Sequence, residues 1–144
     1  MFHFRIISIL FLFITGNPDR IQSDKSLPGW MKGSFTDDYG INYTITDELF
    51  FMEPKAKYHI LRWDSAGQYL LTKNDEKNPS EKGLYTRIDY LQFSGMNPFE
   101  WGFCLTVYDA ADTTAAISAL QANREIPKKG CNGFPFSRMK RRSE

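Results

Sequence analysis

The sequence predicts a mainly β protein: a small antiparallel meander or barrel of six to eight strands with one short C-terminal helix. Three observations carry this expectation. Short runs of alternating apolar and polar residues recur from Trp30 to Tyr108, each broken by turn residues. The period changes to a helical one after Asp112. Two cysteines, Cys104 and Cys131, bracket that helical stretch and offer a clamp.

The runs follow in order. Trp30 to Thr36 is the first, and Asp37-Asp38-Tyr39-Gly40 turns the chain, with Gly40 free to take positive φ. Ile41, Tyr43 and Ile45 then alternate with Asn42, Thr44 and Thr46. Leu49 to Met52 is a short apolar piece stopped by Pro54. Lys57 to Asp64 and Gln68 to Lys73 form a hairpin about Ser65-Ala66-Gly67. In the first of these, Tyr58 and Ile60 share one face, and His59, Leu61 and Trp63 the other.

Asn74 to Lys82 reads as a polar loop. Leu84 to Phe93 is the longest run, with Tyr85, Arg87, Asp89 and Leu91 on one face and Leu84, Thr86, Ile88 and Tyr90 on the other. Glu100 to Tyr108 places Trp101, Phe103, Leu105 and Val107 on one wholly apolar face, which is expected to meet the core. Asp112 or Thr113 caps a helix over Thr114 to Ala122. The segment from Gly130 to Phe136 covers an end of the sheet or fills its edge.

The chain has 144 residues, enough for one domain. Residues 1–16 carry Arg5 and then an apolar run from Ile6 to Ile14. That run is shorter than the roughly 20 residues a membrane span needs, and it has the layout of a secretory signal peptide. Cleavage after Gly16 is expected, with a cut as late as Ser23 as the alternative. Residues 17–28 read as a flexible leader, 29–137 as a single β-rich domain and 138–144 as a solvated basic tail with Arg138, Lys140, Arg141 and Arg142. The chain carries 18 Lys plus Arg against 17 Asp plus Glu, so nothing in the net charge draws it to nucleic acid.

In an exported chain an even pair of cysteines points to a disulfide, Cys104–Cys131. A free nucleophilic thiol or a metal pair is the alternative reading. Two sulfurs without further soft ligands are too few for a closed zinc site, and no metal or cofactor is expected.

Gly83-Leu84-Tyr85-Thr86-Arg87-Ile88-Asp89-Tyr90, then Trp101, Cys104 and Tyr108-Asp109-Ala110-Ala111, and finally Gly130-Cys131-Asn132-Gly133-Phe134-Pro135-Phe136, carry a resemblance. They resemble an uncharacterised family of small exported bacterial proteins, often lipoproteins, that end in a Gly-Cys-x-Gly-Phe-Pro-Trp type segment. The resemblance implies export, a disulfide and a compact β-fold, and it brings no catalytic residue. This chain departs from the pattern at Phe136, where Trp is usual, and has no lipid-anchor cysteine. A stable membrane anchor is therefore not expected. Gly29-Trp30 and the strand meander are loosely similar to lipocalin-type barrels.

Candidate chemistry is sparse. His59 is the histidine outside the signal, and neither Ser65 nor Ser94 stands in a nucleophile-elbow pattern. Asp37-Asp38 and Asp47-Glu48 are acidic pairs without the spacing of a calcium loop. Asn42-Tyr43-Thr44 is a glycosylation sequon, relevant in a eukaryotic secretory route. The candidate ligand site is Arg87 and Asp89, with Tyr85, Trp63, Trp101 and Tyr108 as aromatic walls. A structural ion pair is the competing reading of Arg87 and Asp89.

The expected function is an exported, non-enzymatic, monomeric module that binds a small ligand or a surface protein. A carboxylate-dependent hydrolase and a loop-mediated interaction or inhibitor domain are the alternatives. A roomy interior favours a carrier; a filled one favours recognition at the surface.

Overall fold

The computed structural model describes residues 26–143; the expected signal peptide and most of the expected leader lie outside the described residues. Eight antiparallel strands close into a barrel in sequence order: β1 (Gly33–Asp37), β2 (Asn42–Ile45), β3 (Leu49–Met52), β4 (Ala56–Asp64), β5 (Tyr69–Asn74), β6 (Tyr85–Gln92), β7 (Phe99–Ala110) and β8 (Ser137–Arg141). One short helix, α1 (Thr113–Ser118), follows β7. Among the described strands the up-and-down order leaves no sheet edge open, because β8 pairs with both β7 and β1.

Residues 138–141 of the expected solvated basic tail belong to the closing strand. Met139 is fully buried in the core, while the flanking arginines face outward onto acids. Arg138 grips Asp38 at 2.8 Å, Arg141 approaches Glu100 at 3.4 Å and Arg142 approaches Glu53 at 3.1 Å. The end of the expected leader is also docked. Leu27 is buried, its N–H donates to Asp47 at 2.8 Å, and a 3₁₀ turn (Gly29–Met31) drops Met31 into the core.

The interior is packed with aromatic rings. Phe50 meets Phe103 at 5.2 Å between centroids, Tyr43 meets Phe103 at 5.4 Å, and Phe35 meets Trp101 at 5.5 Å, all edge to face. Trp30 covers Trp101 and Tyr90 at 6.0 and 5.9 Å. An eight-stranded barrel is just wide enough to be filled by side chains or to hold one small ligand. Here Phe35, Phe50 and Trp101 have no exposed surface, so rings fill the interior themselves.

Register shifts in β4 and between β6 and β7 change the faces that simple alternation assigns. A register shift between Ile60 and Arg62 inverts the end of β4. Trp63 therefore joins Tyr58 and Ile60 on the inside, and Leu61 is half exposed. Shifts around Arg87 send Val107 outward, where it packs with Tyr85 and Ile117 instead of joining Trp101, Phe103 and Leu105.

Four carboxyls sit below the usual carboxylate range. The Leu27 N–H lowers Asp47, the Thr44 hydroxyl and then Arg142 lower Glu53, the Gly67 N–H lowers Asp64, and the His59 ring lowers Asp75. A depressed folded value means stability that is complete above the unfolded value of about 4 and is lost as pH falls through the folded one. The melting temperature should therefore stay level from neutral pH to about pH 4 and fall below it. Calorimetry from pH 7 to pH 2 reads this. A melting temperature that rises on acidification would contradict it.

Candidate functional site

The second layer of the structure lies outside the barrel wall, on the faces of β5, β6 and β7 that point away from the core. Tyr69, Leu71, Tyr85 and Val107 make a small apolar cluster there, covered by Ala116 and Ile117 of α1. Asp112 caps α1 by accepting from the Ala115 N–H at 2.8 Å.

Beside this cluster, Asp89 has no exposed surface. Its carboxylate accepts from Arg87 Nε and Nη2 at 3.1 and 3.0 Å, from Arg124 Nη2 at 2.9 Å, from the Ala122 N–H at 3.0 Å and from the Thr106 hydroxyl. Arg87 also donates to the Ile117 carbonyl at 2.7 Å and stacks on the Tyr69 ring at 4.1 Å. Arg124 reaches back to the carbonyls of Tyr90 and Gln68. The two guanidiniums and one carboxylate thus fasten the segment after β7 onto the barrel wall. Every oxygen of Asp89 is occupied by protein.

The disulfide Cys104–Cys131, with α-carbons 5.6 Å apart, fastens the same segment a second time. Its closed loop spans 27 residues, for which the chain-entropy model gives about 3–4 kcal/mol. Cys104→Ala with Cys131→Ala should lower stability by about that amount in urea unfolding. A loss under about 1 kcal/mol would show that the reduced unfolded chain keeps residual structure that already holds this loop closed.

The expected ligand cluster is not assembled as one site. Arg87, Asp89 and Tyr85 lie on the outer face of β6, beneath α1. Trp101 is sealed inside the barrel, and Trp63 packs against the core with its indole N–H donating to Tyr90 at 2.7 Å. Tyr108 is 49% exposed, beyond the outer cluster. The barrel wall separates these groups, because inner and outer residues alternate along each strand and the bulge in β4 moves Trp63 inward. His59 is half exposed and bonded to Asp75 at 2.7 Å. Asp37 is spent on the turn, accepting from the Tyr39 and Ile41 N–H groups and from the buried Tyr43 hydroxyl. Burial, reinforced by that bond to Asp37, pushes the Tyr43 hydroxyl far above its ordinary value.

A groove that sequence reading missed opens on the outer wall. Its volume is about 790 Å³. Phe93 and Met96 come from the connection between β6 and β7, and Tyr39 from the turn after β1. Ile126 and Pro127 line the opposite side, and Pro135 and Phe136 lead into β8. Tyr39, Met96 and Ile126 are exposed by 69, 38 and 52%, so the patch is apolar surface open to water. Gly102 makes the floor possible: a β-carbon there would stand 2.9 Å from the Phe93 ring and 3.1 Å from the Ser137 carbonyl.

Four charged residues are also part of the lining: Asp38, Lys128, Lys129 and Arg138. Asp38 and Arg138 neutralise one another through a two-pronged contact at 3.0 and 2.8 Å. The available signal in the sequence was Phe134-Pro135-Phe136 after Ile126-Pro127, apolar residues and prolines outside any alternating run. Only the closure of β8 brings them beside Tyr39 and Met96.

Fold and site together define an eight-stranded antiparallel barrel with a filled interior, a strapped outer segment and an apolar groove on its outside. No family model, no curated protein and no solved structure matches the chain.

Proposed function

We propose that the chain is an exported, non-enzymatic binding module that meets its ligand or partner in the outer groove. The carrying observation is the contrast between the two cavities a barrel offers. Phe35, Phe50, Phe103 and Trp101 occupy the interior, whereas Tyr39, Met96 and Ile126 leave an open apolar trough outside. About 790 Å³ lies inside the ~300–1,000 Å³ range of small-molecule sites. The disulfide supports a location outside the reducing interior of the cell. Among the described residues no helix is long and apolar enough to cross a membrane.

A hydrolase needs two carboxylates at a working separation. The groove lining holds one, Asp38, and Arg138 occupies it, so the geometry favours binding.

Nile red, a neutral apolar dye, tests the groove. Its emission should rise and shift to the blue with the native protein. Ile126→Asp combined with Met96→Asp should abolish that response while changing stability by less than about 0.5 kcal/mol, since both side chains are exposed. Unchanged dye binding in the double variant would overturn the reading.

A further inference from the structure

We infer that the groove takes a free single-chain amphiphile with an anionic head, of the long-chain carboxylate type. This rests on the groove being the binding site and adds the chemistry of its occupant. The trough is lined mainly by apolar groups, and its formal charge comes from four residues, Asp38, Lys128, Lys129 and Arg138. Asp38 and Arg138 cancel one another, so Lys128 and Lys129 leave the lining net positive. Among the described residues neither lysine stands within ion-pair distance of a carboxylate.

The two lysines share a tight turn with the apolar wall, closed by the Lys129 N–H on the Ile126 carbonyl at 2.9 Å. One short segment therefore presents Ile126 and Pro127 to a chain and two ammonium groups to its head. Apolar burial supplies affinity, and the lysines select the sign of the head group. A neutral head gains nothing from them, and a cationic head is repelled. Lysine, a compact and strongly hydrated point charge, suits a carboxylate that stays partly in water.

Titration calorimetry with three twelve-carbon probes, all below their micelle concentrations, tests the inference: dodecanoate, dodecanol and dodecyltrimethylammonium. Dodecanoate should bind at least tenfold more tightly than either of the others, and its affinity should fall as salt is added. Lys128→Glu with Lys129→Glu should erase the preference. Lys77→Glu with Lys82→Glu, equal in charge but outside the groove, should leave it intact.

Equal binding of dodecanoate and dodecanol, or loss of the preference in both lysine pairs, overturns the anionic head. In that case Nile red binding to the native protein keeps the groove itself standing. Capture on phosphatidylglycerol vesicles that dodecanoate does not compete away would assign the patch to a membrane surface and overturn the free amphiphile. Retention of Nile red binding by the Ile126 and Met96 double variant overturns the groove and the amphiphile together.

Discussion

Asp89→Ala is expected to cost about 3–5 kcal/mol, the range found when one partner of a buried ion pair is removed. The size follows from what is left behind. Arg87 and Arg124 stay positive at 7 and 17% side-chain exposure with their shared carboxylate gone. The Ala122 N–H loses its acceptor as well. Asp89→Asn keeps the shape but removes the charge, and should recover only part of the loss. Urea unfolding gives the magnitude, and hydrogen exchange gives the location. The amides of Ala116 and Ala122 should exchange well before those of the barrel, because they belong to the strapped segment. A cost below about 1 kcal/mol would mean that the two arginines swing into water and that the segment is held by packing and the disulfide alone.

The second large effect is expected at Trp101. Trp101→Ala should cost about 3–5 kcal/mol, through lost transfer energy and the cavity it opens among Trp30, Phe35 and Phe103. Trp101→Phe should cost far less, about 1–2 kcal/mol. Phenylalanine keeps most of the ring area, and the indole Nε1 of Trp101 is buried without a hydrogen-bond partner, so that donor is shed at no loss. Thermal melts of the two variants should separate them by several degrees. Equal losses would show that the indole N–H contributes a contact, and that ring area is not what the core requires.

Much of this architecture was legible in the alternating runs. Six of the seven strands up to Tyr108, the connection around Gly67 and the cap at Asp112 follow from turn residues and period, which are local properties; Leu49–Met52 read only as a short apolar piece. The disulfide followed from an even cysteine count and the expected export. The misreadings are non-local. β8 carries a single apolar residue, Met139, among arginines and lysine, so only its pairing with β1 and β7 makes it a strand. The helix was expected to reach Ala122 but ends at Ser118, because Arg87 takes the Ile117 carbonyl and Asp89 takes the Ala122 N–H. Tertiary bonds outbid the next helical turn. The bulges at Leu61 and around Arg87 add one residue to a count of two, and no local signal marks them.

The same non-locality explains the site. Arg87 and Asp89 were conspicuous in sequence because a buried charged pair needs a reason, and the reason is mechanical. The groove was silent because its walls come from Tyr39, Met96, Ile126 and Phe136, which nothing in linear order connects.

Barrel closure through the last strand sets an order of events during synthesis. Asp38 and Arg138 are 100 residues apart, and β1 has no second neighbour until Ser137–Arg141 arrives. A nascent chain short of that point is an open curved sheet with two bare margins, prone to join other chains. The barrel can close only after Ser137–Arg141 has been made. Ring closure is therefore a long-range step, and pairings between segments so far apart in the chain form slowly.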